Sequence, residues 1–236
     1  MSERAEKLIP LPAAFLGRMA DLLGNEYGAF RAALARPPSV GLRVNTLKLS
    51  PQEFRALSPF ELAPVPWCAA GFVVSEGAQP GRHPHHAAGL YYLQEPSAMA
   101  AATSLAPEPG ERVLDLCAAP GGKATHIAAL MQGEGLLVAN DIHTRRAQVL
   151  AQNLERCGVR NAVVLNESPA RLAERLPGFF DRILVDAPCS GEGMFRKSEA
   201  ARRAWSPQHV LGCARRQEGI MTSAARMLRP GGLLAY

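Results

Sequence analysis

A doubly wound parallel α/β sheet of Rossmann type, over residues 89–236, behind a small α+β segment at 1–88, is the architecture this 236-residue sequence predicts. Short apolar, β-branched runs alternate with stretches of helical periodicity from Val113 onward, which is the pattern of βαβ units. Two of those runs end in loops rich in Pro, Gly and Cys, at the strand ends where open α/β sheets hold their ligands. A chain of this length can bury a real core, as one large or two modest domains.

The elements follow in order. Leu11 to Leu34 has the spacing of two short amphipathic helices, broken at Gly24-Asn25. Residues 37–80 are rich in Pro and short apolar runs, and Val40 to Leu49 reads as a strand with Arg43, Asn45 and Lys48 on one side. Gly81 to Ala88, with His83-Pro84-His85-His86, reads as an exposed linker, and a helix is expected over Tyr92–Ala102. Val113–Leu116 predicts the first parallel strand, and Ala124–Met131 the helix after its glycine turn. Leu136–Asp141 predicts the second strand, Ala147–Cys157 a helix, Ala162–Leu165 the third strand and Arg182–Val185 the fourth. Pro207 to Leu228 carries a helical stripe at Val210, Ala214, Met221, Ala225 and Leu228. Arg229-Pro230-Gly231-Gly232 is expected to stop that helix, and Leu233–Tyr236 to begin a fifth strand.

The chemistry concentrates in two loops. In Asp115-Leu116-Cys117-Ala118-Ala119-Pro120-Gly121-Gly122-Lys123 a strand runs through a glycine turn into a helix. A P-loop would need Gly in place of Cys117 and Ser or Thr in place of Ala124, and a dinucleotide turn needs more than the adjacent Gly121-Gly122. A turn without a phosphate cradle suits a ligand without a pyrophosphate. S-adenosylmethionine is one, with a carboxylate that a helix N-terminus and Lys123 can hold. Asp141 ends the second strand about 20 residues past the glycines, where an acid can accept from both ribose hydroxyls. The second loop is Asp186-Ala187-Pro188-Cys189-Ser190-Gly191-Glu192-Gly193. Pro188 fixes φ, and Gly191 and Gly193 let the backbone approach a ligand. Asp115 and Asn166 can equally be turn or cap residues, and Cys189 a small thiol before an ordinary turn.

Together these two motifs resemble the Nop/Sun family of S-adenosylmethionine-dependent RNA cytosine-5 methyltransferases. Gly41-Leu-Arg-Val-Asn-Thr-Leu-Lys48 and Tyr92-Leu-Gln-Glu-Pro-Ser97 resemble that family's N-terminal motifs, and Gly191-Glu-Gly-Met-Phe-Arg-Lys197 is similar to its bacterial small-subunit rRNA branch of F type. The resemblance implies a cofactor lined by Cys117, Ala118, Ala119, Pro120, Gly121, Gly122 and Lys123, with its ribose on Asp141 and its adenine near Asn166. It implies that Asp186 lies at both cofactor and target base, that Cys189 assists product release, and that Lys197 contacts RNA or polarises the base. The family usually has an acid where this chain has Asn166. Its nucleophile is a second cysteine, in a Thr-Cys pair shortly after the fifth strand, and Tyr236 falls inside that strand. Cys213 is spaced wrongly for the role. The expectation is therefore an incomplete methyltransferase core, with the attacking thiol, two further strands and an RNA-binding extension beyond Tyr236.

The chemistry explains the demand for two thiols and an acid. Carbon 5 of cytosine is a weak nucleophile until a thiolate adds at carbon 6 and converts the ring to an enamine. Such a thiol has an ordinary pKa of roughly 8.5, so it needs a nearby cation or helix N-terminus to ionise near neutrality. An acid at the base edge stabilises charge developing on the ring. The net charge of +5 and the many arginines suit a nucleic-acid partner, with Arg145-Arg146, Arg202-Arg203 and Arg215-Arg216 as candidate phosphate contacts. Five cysteines without C-x-x-C spacing read as reduced thiols in a cytosolic protein, and no metal site is expected. Residues 1–20 lack the apolar core of a signal peptide, and no apolar run is long enough to span a membrane. A monomer is the expectation. Two other readings remain open: a non-catalytic cofactor- or RNA-binding fragment, and a DNA cytosine-5 methyltransferase with Cys189 as nucleophile.

Overall fold

A computed structural model describes residues 9–236; the charged start of the chain, residues 1–8, lies outside the described residues. In chain order the elements are α1 (Ala13–Leu23), α2 (Tyr27–Ala35), β1 (Gly41–Val44), α3 (Pro51–Leu57), β2 (Leu62–Val65), β3 (Cys68–Val74), α4 (Pro84–Ala87), β4 (Tyr91–Leu93) and α5 (Pro96–Leu105). The second half continues with β5 (Arg112–Asp115), α6 (Gly122–Leu130), β6 (Leu136–Asn140), α7 (Thr144–Cys157), β7 (Ala162–Leu165), α8 (Pro169–Arg175), β8 (Phe180–Leu184), α9 (Glu199–Ala204), α10 (Pro207–Met227) and β9 (Leu228–Ala235).

Contacts divide the chain into two compact units. Residues up to Pro38 group with Pro188–Gly219, and Ser39–Ala187 groups with Ile220–Tyr236. The first unit is built on Phe15, whose ring meets Phe195 edge-on at 4.9 Å and Trp205 at 5.7 Å, with Phe30 at 6.2 Å. Such aromatic pairs add to the area they bury. The expected break between α1 and α2 is a single 3₁₀ turn opened by Gly24 at φ 49°.

The second unit holds both sheets. The antiparallel sheet runs β2-β3-β1-β4, over a core of Leu42, Val44, Phe54, Phe72, Val74 and Tyr91. Here the structure corrects three expectations. The first strand stops at Val44, because the Asn45 side chain accepts from the Leu47 amide at 3.2 Å and turns the backbone. Tyr91–Leu93 is a strand paired with β1, and helix α5 begins only at Pro96. A residue before proline favours extended backbone, and proline suits the first helical position, so Glu95-Pro96 sets that boundary. The histidine run is folded into a 3₁₀ turn and α4 instead of a free linker. The Tyr91 hydroxyl donates to the Pro80 carbonyl at 2.6 Å, and the His83 ring packs edge-on against Phe60 and His85.

The second sheet is all parallel, in the order β7-β6-β5-β8-β9, and so has the doubly wound topology that the strand-helix alternation predicts. Apolar clusters cover both faces: Val113, Ala124, Ile127, Leu137 and Leu150 on one, Leu114, Val138, Phe180, Ile183 and Ala224 on the other. The expected cut at residue 88 falls inside this unit, because side chains of the β1 region bond directly to the parallel half. Asn45 donates to the Cys157 carbonyl at 2.8 Å, and Arg43 to Thr125 at 2.8 Å. The Arg229–Gly232 stretch, expected to precede the fifth strand, lies within β9 as an irregularity opposite Phe180–Arg182. A side chain on Gly232 would meet the Asp181 carbonyl at 2.7 Å.

Asp181 ties three strands together. Its carboxylate accepts from the Arg112 amide at 2.5 Å and pairs with Arg229 at 2.8 Å, while itself 7% exposed. Asp181→Ala leaves the Arg112 amide without its acceptor, and should lower the unfolding free energy by roughly 1–3 kcal/mol. Urea denaturation checks this; an unchanged midpoint would remove Asp181 from the sheet's supports.

Candidate cofactor and active site

The parallel sheet ends β5, β6, β7 and β8 on one edge, and the residues that follow them form a rim. Leu116 leaves β5 beside β8, its amide donating to the Leu184 carbonyl at 3.0 Å. The turn then folds back on β6, where the Ala118 amide reaches the Asn140 carbonyl at 2.8 Å. Gly121 has φ 113°, and a side chain there would press on Asn153 and Leu150 at 3.3 Å. Only glycine takes that backbone without strain. Gly122 opens α6 with the Tyr92 ring 3.2 Å from where a Cβ would stand.

Most of the residues singled out from the sequence meet along this edge. The Lys123 ammonium bonds the Asp186 carboxylate at 2.6 Å, joining the glycine turn to the end of β8. Asp141, 2% exposed, accepts from the His143 amide at 3.0 Å and pairs with Arg146 at 3.3 Å. Arg146 in turn donates to the Ala119 carbonyl at 2.6 Å, and Asn153 to the Pro120 carbonyl at 2.8 Å, so α7 holds the turn from one side. Asn166 donates to the Asp141 carbonyl at 2.8 Å and accepts from the Thr144 hydroxyl at 2.8 Å. Cys189 and Lys197 belong to the other unit, and both are exposed there. Glu192 orders the loop that carries Cys189. One of its carboxylate oxygens accepts from the Trp205 indole at 2.8 Å and the Ser190 hydroxyl at 3.2 Å, and Gln217 donates to the Pro188 carbonyl at 2.9 Å.

Two residues escape a reading by sequence, and a third, Asp115, differs from its turn or cap reading. Asn140 is buried, donates to the Leu116 and Glu167 carbonyls at 3.1 and 3.0 Å, and accepts from the Glu167 amide at 3.0 Å. Glu192 needs its distant Trp205 to be recognised as a brace. Asp115 stands in the motif yet is fully buried, with neither carboxylate oxygen hydrogen-bonded among the described residues. Burial first, and then the nearby Asp186 and Asp141 against the opposing Lys123, push its carboxyl up to about 7. The Cys117 thiol is pushed up to about 12, by burial and then by Asp115, Asp141 and Asp186. It is a neutral thiol at physiological pH, unsuited to attack. A neutral His126, pushed down to about 2 by burial and then by Arg43, lies 3.8 Å from the Cys68 sulfur.

Residues 102–236 match the model of the 16S rRNA methyltransferase RsmB/F family, and residues 11–96 that of the N-terminal domain of 16S rRNA methyltransferase RsmF. This chain belongs to the RsmB/F family. It is 43% identical over 243 residues to ribosomal RNA small subunit methyltransferase F of Enterobacter sp. (strain 638), covering 98% of this chain and 51% of that protein. The like-named protein of Vibrio cholerae (strain M66-2) is 42% identical over 238 residues, covering 97% of this chain and 50% of it. The chain thus spans about half the length of the curated relatives it matches. Among solved structures, a methyltransferase homolog protein from Pyrococcus horikoshii superposes with TM-score 0.83 at 32% identity, over 97% of this chain and 73% of that one. The NSun6 structure from Pyrococcus horikoshii, at 20% identity and TM-score 0.81 over 94% of this chain and 82% of that one, shares the fold.

S-adenosylmethionine is the cofactor of this core, and the rim fits it. Asp115, Asp141 and Asp186 share this edge with two cations, Lys123 on Asp186 and Arg146 on Asp141. A ligand bearing a sulfonium and an ammonium complements these acids, and the amides of the first α6 turn suit its carboxylate. Among the described residues no helix is long and apolar enough to cross a membrane.

The raised Asp115 pKa sets a pH dependence. The unfolded carboxyl ionises near 3.8 and the folded one near 7. The folded state therefore holds an extra proton between those values, and the ligand-free protein loses stability as pH rises through that window. Asp115→Asn should consequently raise ligand-free stability at pH 8, by on the order of a few kcal/mol, and change it little at pH 4. Equal effects at both pH values in urea titrations would show that the folded and unfolded Asp115 carboxyls share one pKa.

Proposed function

We propose that this chain takes part in S-adenosylmethionine-dependent methyl transfer to carbon 5 of a cytosine in small-subunit ribosomal RNA, in the cytoplasm. The observation that carries the reading is the meeting of the Lys123 turn with Asp186 at the switch point between β5 and β8. The curated relatives, named as small-subunit rRNA methyltransferases F, supply the substrate class. When bound, S-adenosylmethionine supplies an electrophilic methyl group on a sulfonium sulfur.

The chain's residues divide the work. Cys117 to Lys123 line the cofactor, with the α6 amides and Lys123 on its carboxylate. Asp141 holds the ribose hydroxyls, exchanging its Arg146 contact for them, and Asn166 borders the adenine. Asp186 bonds the edge of the target base, which leaves the RNA stack at a cost of a few kcal/mol. Cys189 assists departure of the product, and Lys197 contacts the RNA. Residues 1–88 contribute RNA contacts ahead of the methyltransferase domain at 89–236, from surfaces other than Arg43 and Asn45, which are buried. The attacking thiol comes from sequence C-terminal to Tyr236. The high pKa of Cys117 and the burial of Cys68, Cys157 and Cys213 support that assignment, since none of these thiols suits attack.

Two measurements test this reading. Asp141→Ala removes charge-assisted bonds worth roughly 1.5–3 kcal/mol each, so calorimetry should show S-adenosylmethionine binding at least tenfold weaker. Unchanged affinity in a folded variant would take Asp141 out of the site. For Cys189→Ala, made in the longer protein, the expectation is a covalent protein–RNA adduct that survives denaturing electrophoresis. Loss of every adduct would instead make Cys189 the attacking thiol, as in the DNA-methyltransferase reading. Transfer of tritiated methyl to RNA by residues 1–236 alone would point the same way. Binding of cofactor and RNA without transfer, even in the longer protein, would leave a non-catalytic module.

A further inference from the structure

Arg43 is a charge in an unexpected place. It sits in the middle of β1 and is 2% exposed, and all of its bonds go to neutral acceptors. Its guanidinium donates to the Gln94 side-chain oxygen in a close contact, to the Gly122 carbonyl at 2.8 Å and to the Thr125 hydroxyl at 2.8 Å. Among the described residues its Nε atom has no hydrogen-bond partner. A buried cation without a carboxylate is costly, and an apolar residue would fill the position at less expense.

The acceptors show where the charge is directed. Gly122 and Thr125 are in the first turn of α6, the turn that follows Gly121. The Thr125 hydroxyl also donates to the Gly121 carbonyl at 2.7 Å, so one chain of bonds runs from Arg43 into the glycine turn. A cation at a helix N-terminus opposes the helix dipole, and so the placement does not stabilise α6 by itself. It does add to the positive potential of the α6 amides and Lys123. Tyr92 packs on Gly122, and Arg43 and Arg156 lie 5.7 and 5.6 Å from the Tyr92 ring centre. The same segment grips α7 at its other end, where Asn45 reaches the Cys157 carbonyl at 2.8 Å and Lys48 the Arg156 carbonyl at 2.8 Å.

We propose that Arg43 is a positioning residue for the amino-acid carboxylate of the cofactor: from the antiparallel sheet it fixes the first turn of α6 and brings to it a positive charge that no carboxylate among the described residues neutralises. The bound carboxylate supplies the compensation that Arg43 lacks. This rests on the cofactor reading above and extends it to a residue on a different sheet. Arg43 touches the cofactor only through the turn, so its removal should impair recognition of the carboxylate and spare recognition of the adenosine.

The test uses residues 1–236 and two adenosine thioethers. S-adenosylhomocysteine carries the amino-acid group, and 5′-methylthioadenosine lacks it. Calorimetry on the wild type should show S-adenosylhomocysteine preferred. In Arg43→Gln that preference should shrink roughly tenfold, the scale of one charged hydrogen bond, with methylthioadenosine affinity nearly unchanged. Arg43→Lys, which keeps the charge and loses the fork, should fall between. Thr125→Val, which removes one anchor and leaves the charge, should also fall between, and it keeps the test open if Arg43→Gln does not fold. Equal weakening of both ligands, or an unchanged preference across the folded variants, overturns the proposal and leaves the cofactor reading standing. A wild type with no preference for the amino-acid group would instead refute the carboxylate site at α6, and the positioning role with it.

Discussion

The rim at the carboxyl ends of the parallel strands depends on one buried amide. Asn140 uses both ends of its side chain, donating to the backbone after β5 and β7 and accepting from the Glu167 amide. Three neighbouring strand tips are thereby held in register at the place where regular pairing stops. A parallel sheet needs such a device, because its ladder ends leave backbone groups that turns must satisfy. With those tips fixed, Asp141 and Asn166 stand beside each other and the turn from Cys117 folds over β6. The amide is neutral, so it does this without adding to the charge of the edge.

That charge is the second organising feature. Parallel topology sends Asp115, Asp141 and Asp186 to one edge, and burial decides what each becomes. Asp186 is exposed and pairs with Lys123, whereas Asp141 is buried and keeps Arg146 as partner. Asp115 is fully buried, and burial pushes its carboxyl up to about 7. Across the turn, Arg43 is buried without a carboxylate, and burial pulls its guanidinium down to about 10. A buried carboxyl and a buried guanidinium thus flank one glycine turn. Neither arrangement favours the ligand-free fold.

Much of this was legible in the residues. Helical periodicity marked the helices near Ala147–Cys157 and Pro207–Leu228; the apolar run at 162–165 is a strand with those bounds, and the run at 136–141 is a strand that stops one residue earlier, at Asn140. The glycine turn and Asp186 could be read because their chemistry depends on near neighbours in sequence. Expectations failed where a distant partner decided the local structure. Tyr91–Leu93 is strand because β1 offers it a ladder, and Leu228–Gly232 joins β9 because β8 lies alongside. The His83–His86 stretch is ordered by Phe60 and Tyr91, neither adjacent to it.

By itself, then, the sequence determined the parallel α/β class, the two motif loops and the type of ligand that such a turn can hold. These follow from periodicity and from local backbone chemistry, which a linear string carries in full. Only the tertiary structure decided the surroundings of the charges. Arg43, Asn45 and Lys48 read as one side of a strand; folding buries Arg43 and Asn45 against Thr125 and Cys157, and lays the exposed Lys48 on the Arg156 carbonyl. Their partners lie 82, 112 and 108 positions away. Whether a polar side chain meets water, RNA or protein is set by desolvation, and desolvation depends on which elements pack together.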